Sequence, residues 1–128
     1  MIKIYVDGGT VGTRICLVDK LKDKTIVKIR GVNPTNNELE YLALLYALEY
    51  ITNNYKKRNI TIYSDSMLIV NQINGKWRVT TPKLVPLYYK CIKLVTDKMK
   101  IKWIKRDLNK AGWVLEDLLL KSKLSRDR

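Results

Sequence analysis

The chain has 128 residues, is 46% apolar and carries a formal net charge of +13 with no histidine. One domain with a real core fits that length, and the lack of His excludes Ser-His-Asp and Cys-His catalysis and the usual zinc sites. The charge points to a polyanion, with nucleic acid favoured over an acidic membrane because no predicted helix pairs a basic face with exposed aromatics; lysines that only keep the chain soluble are the bland alternative.

No Phe is present, so Leu, Ile, Val, Tyr and Trp must fill the core. The first element is a strand, Ile2 to Val6, ended by the turn residues Asp7-Gly8-Gly9. This start has none of the features of a signal peptide, and no apolar run approaches the ~20 residues of a membrane span. The chain is therefore expected to be cytoplasmic and free of membrane. Arg14 to Asp19 and Thr25 to Val32 read as two more strands, with a polar hairpin turn at 20–24 between them. Cys16 and the distant Cys91 each sit in apolar stretches and are expected to be buried free thiols.

Asn33-Pro34 breaks the strand pattern, and Thr35 with Glu38 forms a capping-box pair. Leu39, Leu42, Ala43, Tyr46, Ala47 and Tyr50 then recur at helical spacing, giving a helix to about Asn53. A fourth strand covers 60–63 and ends at Ser64-Asp65-Ser66. A short helix follows from Met67 to Ile73, and Pro82 and Pro86 mark the start of another. Lys100 to Ile104 is the fifth strand, and Ala111 to Lys121 the last helix. The order β-β-β-α-β-α-α-β-α predicts an α/β fold: a mixed five-stranded sheet, three antiparallel strands then parallel ones, with helices on both faces. One domain over 1–124 and a frayed tail at 125–128 are expected. The full set of elements behind Met1 favours a stand-alone protein, expected to be a monomer, over a fragment of a polymerase or transposase.

Three acids fall where structure does not ask for them: Asp7 after the first strand, Glu40 beside the apolar stripe of the long helix, and Asp65 after the fourth strand. Singly, each has an ordinary reading as turn residue, solvated charge or helix cap. Together they fit the crevice at the ends of neighbouring parallel strands. Carboxylates that close repel unless a cation lies between them, and without His the natural cations are Mg²⁺ or Mn²⁺. Two such ions per site can hydrolyse a phosphodiester.

Here the sequence resembles a family. Asp7-Gly8-Gly9, Thr35-Asn36-Asn37-Glu38-Leu39-Glu40, the stretch from Tyr63-Ser64-Asp65-Ser66 through Asn74-Gly75, and Trp103-Ile104-Lys105-Arg106-Asp107-Leu108-Asn109 are together similar to the type 1 ribonuclease H pattern. The resemblance covers nearly the whole chain. It implies an endonuclease cutting the RNA strand of RNA–DNA hybrids, with Asp7, Glu40 and Asp65 as catalytic metal ligands. It implies that Thr35 holds a DNA-strand phosphate and that Asn36 and Asn37 meet the hybrid in its minor groove. Gly8, Gly9, Ser66 and Asn109 join them as substrate-binding positions.

Two departures stand out. The family places an Asp four residues after the Asn matched here to Asn109, and this chain has Trp113 there, preceded by Gly112. Glu116 shares their helix face and is the preferred fourth ligand, with Asp117 or no fourth ligand as alternatives. The histidine many relatives carry on a mobile loop is missing too. There is no room between 76 and 86 for an extra basic helix, which leaves Lys56, Lys57, Arg58, Lys76, Arg78 and Lys83 as substitutes. A non-catalytic nucleic-acid-binding domain on the same fold is the alternative function.

Overall fold

The computed structural model describes residues 2–10 and 13–126, the last two as backbone only. One sheet is built from β1 (Ile2–Gly9), β2 (Arg14–Asp19), β3 (Lys24–Ile29), β4 (Ile60–Ser64) and β5 (Met99–Trp103) in the order β3-β2-β1-β4-β5. The pairs β1–β2 and β2–β3 are antiparallel, and β1–β4 and β4–β5 are parallel. The helices are α1 (Asn36–Asn54), α2 (Met67–Ile73), α3 (Val85–Leu94) and α4 (Lys110–Arg126), with a 3₁₀ turn at Arg106–Leu108. This is the predicted mixed sheet. Each parallel pair needs a helical crossover, and that places strands one, four and five side by side.

Side chains alternate across a strand, and the sheet accordingly has two cores. Ile2, Ile4, Val6, Ile15, Leu17, Ile60 and Ile62 cluster with α1, α2 and α3 on one face. Tyr5, Cys16, Val18 and Tyr63 cluster with Ala111, Val114 and Leu115 of α4 on the other. Helix α1 is buried more broadly than its predicted stripe, with Tyr41, Leu44, Leu48 and Ile51 also inside, because it lies between the sheet and α3. The capping box forms as predicted: the Glu38 N–H donates to Thr35 Oγ1 at 3.2 Å, and the Thr35 N–H donates to Glu38 Oε1 at 3.0 Å.

Several boundaries differ from expectation. β1 does not stop at Asp7. It runs on through the expected turn, with Gly8 paired to Ile15 and Gly9 to Arg14. β3 ends at Ile29 rather than Val32, because the chain turns through Gly31 and Asn33, both at positive φ. α3 begins at Val85, with Pro86 in its first turn. α4 continues to Arg126, so the expected tail is helical at 125–126, and 127–128 lie outside the described residues. Both cysteines are buried and free.

A buried acid that the sequence did not single out pins the opposite end of the sheet. Asp19 has no exposed surface, yet its carboxylate is fully satisfied. It accepts from Tyr50 Oη at 2.7 Å, Tyr55 Oη at 2.6 Å and the backbone N–H groups of Leu21 and Lys22. Burial works against its charge, but the hydroxyl and amide donors outweigh it and hold the carboxyl below its usual range.

Candidate active site

The site forms where β1 and β4 end. The two strands run parallel with Val6 opposite Ser64, which makes Asp7 and Asp65 the next residues in register. α1 brings Glu40 to them through a close approach. A Cβ on Gly8 would lie 2.5 Å from the Leu39 carbonyl carbon and oxygen and 2.8 Å from Glu40 N, so only glycine lets the helix sit this low on the strand. The result is one cluster: Asp7, Glu40 and Asp65 each offer a carboxylate oxygen, all within 4.8 Å of one another.

Each acid is held by neighbours. Asn36 Nδ2 donates to Glu40 Oε1 at 3.1 Å, and the Ser66 hydroxyl also bonds the Glu40 carboxylate. Ser66 caps α2 as well, accepting from the Ile69 N–H. Asn109 Nδ2 donates to Asp65 Oδ2 and to Val6 O, both at 2.9 Å, and its Oδ1 accepts from the Ala111 N–H. Asn109 is completely buried, so here it orients Asp65 rather than facing substrate. Trp103 Nε1 donates to the Asp65 backbone carbonyl at 3.1 Å.

The electrostatics follow from crowding. Burial, then Asp65, then Glu40 push the Asp7 carboxyl up to about 7, although Arg106 and the Gly8 N–H pull the other way. Glu40 is raised too, first by burial and then by Asp65, against hydrogen bonds from Ser66 and Asn36 and the charge of Arg106. A site of carboxylate oxygens alone, too crowded for every acid to ionise freely, is chemically suited to a hard divalent cation.

A cleft of about 170 Å³ opens on these acids, lined among others by Asp7, Gly8, Gly9, Asn36, Glu40, Arg106, Gly112 and Glu116. Gly112 reaches the cluster directly, since a Cβ there would lie 3.4 Å from Asp7 Oδ2 and 3.8 Å from Asp65 Oδ2. Trp113 turns away, with Nε1 donating to Asp107 O at 2.8 Å. Glu116 lines the cleft, but it stands outside the three-acid cluster and pairs with Arg106 at 3.6 Å. Asp117 pairs with Lys121 instead. Thr35, Asn36 and Asn37 are exposed at the lip of α1, and Gly9 has Leu115 beside it. Arg106 was not singled out from sequence; an Arg six residues before Gly112 has no signature until the 3₁₀ turn folds it over the acids. On the α3 side a second groove of about 510 Å³ carries Lys76, Trp77, Arg78, Tyr88 and Tyr89.

Comparison with known proteins gives this arrangement a context. Residues 12–115 match the family model described as reverse transcriptase-like. The ribonuclease H1 of Halobacterium salinarum is similar at 25% identity and TM-score 0.69, over 86% of this chain and 89% of that one. The ribonuclease H1 called LC11, isolated from compost and solved in complex with an RNA/DNA hybrid, is similar at 26% identity and TM-score 0.72, again over 86% and 89%. The uncharacterized protein YpeP of Bacillus subtilis is 43% identical over 49 residues, which is 38% of this chain and only 22% of that relative's length.

Proposed function

This chain belongs to the reverse transcriptase-like family and has a ribonuclease H-like fold, and from that premise we propose that it hydrolyses the RNA strand of RNA–DNA hybrids with the help of Mg²⁺ or Mn²⁺. The observation that carries this reading is the convergence of Asp7, Glu40 and Asp65, far apart in sequence, with ligand oxygens within 4.8 Å.

The donor set fits the metals: three carboxylates, no nitrogen or sulfur, and a crowding of negative charge that a bound cation would relieve. Divalent ions bound there supply charge stabilisation to the phosphate and acidify water. The chain's own residues do the rest. Asn109 and Asn36 fix the Asp65 and Glu40 carboxylates so that they need not reorganise on binding. Arg106 sets a fixed positive charge at the cleft wall, where a phosphate would enter. Thr35, Asn36 and Asn37 stand at the lip of α1, where a duplex lying over the acids would present its minor groove and the 2′-hydroxyls that mark RNA. The groove of Lys76, Trp77 and Arg78 gives the other strand a basic, aromatic seat.

The absence of a fourth carboxylate at Gly112 and Trp113, with Glu116 engaged by Arg106, favours one alternative: a hybrid-binding domain that does not cut. A labelled hybrid incubated with Mg²⁺ or Mn²⁺ separates the two. RNA-strand cleavage by the wild type that disappears in Asp65→Asn supports the nuclease. Binding without cleavage in either metal supports the alternative, and cleavage surviving Asp65→Asn defeats the proposed site.

A further inference from the structure

The face of the sheet that carries α4 is only half covered. α4 packs against β1 and β2, over Tyr5, Cys16 and Val18, and does not extend over β4 and β5, where Thr61 is buried and Tyr63 half-buried between exposed lysines. On that open half the register sorts side chains into rows. Lys20, just past β2, stands opposite Lys3, donating its backbone N–H to Lys3 O. Lys3 pairs with Thr61, and Thr61 with Lys100. In the next row Tyr5 pairs with Tyr63, and Tyr63 with Lys102. Ile4, Ile62 and Ile101 lie between these residues and belong to the α1 core, so alternation sends the lysines and tyrosines to the opposite face.

Like charges gathered on neighbouring strands repel one another. Lys3, Lys20, Lys100 and Lys102 are exposed, and no ion pair among the described residues involves them. Lysines on β5 alone would be explained as guards of an unpaired sheet edge. Lys3 is on the central strand, where no edge needs guarding. Aromatic faces interleave with this charge. The Tyr5 and Tyr63 rings stack at 5.2 Å, and Lys110 sits 5.8 Å from the Tyr5 ring and 5.5 Å from that of Trp113. Trp113 is 48% exposed and, with Lys20 and Lys110, borders a groove of about 380 Å³ along the flank of α4. The two acids in that groove are Asp23 and Asp117, and Asp117 is already bridged to Lys121.

We propose that this face is a second nucleic-acid contact, a track for a single strand, separate from the cleft that holds the three acids. Lys3 and Lys100 begin their strands at the end remote from Asp7 and Asp65. Lysines spaced across a sheet neutralise phosphates without regard to sequence, and the exposed Trp113 ring and half-exposed Tyr63 ring can stack unpaired bases, which a closed duplex does not offer. The track needs neither metal nor the acids, so it stands independently of the cleavage proposed above.

The test is fluorescence anisotropy with a labelled oligouridylate, in chelator, across a salt series. The wild type is compared with a variant combining Lys3→Ser, Lys100→Ser and Lys102→Ser, and with a control combining Lys28→Ser, Lys90→Ser and Lys93→Ser, which loses the same charge on the opposite side of the sheet, at β3 and α3. Three lost phosphate contacts flatten the slope of log affinity against log salt by about 2, at about 0.7 per contact for single strands. The track variant is expected to show that change and to bind about tenfold or more weakly, while the control keeps the wild-type slope. If the track variant fails to fold, Lys100→Ser with Lys102→Ser on the edge strand is expected to flatten the slope by about 1.4. A wild-type slope in the track variant, or an equal loss in the control, overturns the proposal. An equal loss on a blunt hybrid duplex overturns its assignment to unpaired strands.

Discussion

Gly8 and Leu39 meet so closely that a single added carbon on Gly8 would lie 2.5 Å from the Leu39 carbonyl. The position of α1 over β1, and with it the place of Glu40, depends on that missing side chain. Gly8→Ala forces helix and strand apart against backbone atoms that cannot rotate away. Overpacking of this kind costs about 1–3 kcal/mol. Urea denaturation should show that loss, and isothermal titration with Mn²⁺ should show weaker ion binding because Glu40 has moved. An unchanged midpoint together with unchanged ion affinity would refute this account of the site's assembly.

The buried Asn109 amide donates to Asp65 and to the Val6 carbonyl, so its effect on the site runs through those two groups. Asn109→Ala is expected to reduce ion affinity or hybrid cleavage about 10–100-fold, the usual effect of removing a residue that orients a ligand. Hybrid binding in chelator should stay close to wild type, since the amide has no exposed surface. A large loss of metal-free binding would mean that Asn109 touches substrate after all.

Glu116 was preferred as a fourth ligand, but its side chain is 62% exposed and lies against Arg106 outside the cluster. Glu116→Gln should leave Mn²⁺ affinity within about threefold of wild type, a difference below 1 kcal/mol. A tenfold weakening would return Glu116 to the set of ligands.

The pH dependence of the metal-free protein should run opposite to ordinary acid denaturation over part of its range. The folded-state carboxyl of Asp7 is raised from 3.8 to about 7, chiefly by burial and then by Asp65 and Glu40. Between those values the folded protein holds a proton that the unfolded chain has released, so stability falls as pH rises from about 4 to about 7. Glu40 is raised also and adds to the slope. Asp19 is lowered, so its contribution is present above the usual carboxylate range and lost only at more acid pH, outside this window. Urea midpoints measured across the window should decline with pH in the wild type and flatten in Asp7→Asn. Identical profiles for the two proteins would rule out Asp7 as the source.

Much of this molecule could be read from its residues. The capping box at Thr35 and Glu38, the short α2 and the alternation of five strands rest on local chemistry, and local chemistry is what a linear reading sees. The three acids were legible because Asp7 and Asp65 follow the apolar runs of β1 and β4 and Glu40 lies beside the apolar stripe in the first turns of α1. What escaped was set by distant packing. Asp7-Gly8-Gly9 has turn composition but continues the strand, because β2 supplies pairing partners for both glycines. Asp19 reads in sequence only as the end of a strand, and its burial comes from Tyr50 and Tyr55, which close over it from the far end of α1. Arg106 gains its place only when the chain leaves β5 through a 3₁₀ turn.

The two bonds from the Asn109 amide also set an order of events during synthesis. They join a carbonyl near the start of the chain to an acid at its middle, and both wait for a residue close to the end. A ribosome-bound chain that has not yet released Asn109 can form its first hairpins, but its acid pocket stays unfastened. Premature termination between Asp65 and Asn109 therefore yields fragments with all three acids but without the amide that ties Asp65 to the strand carrying Asp7.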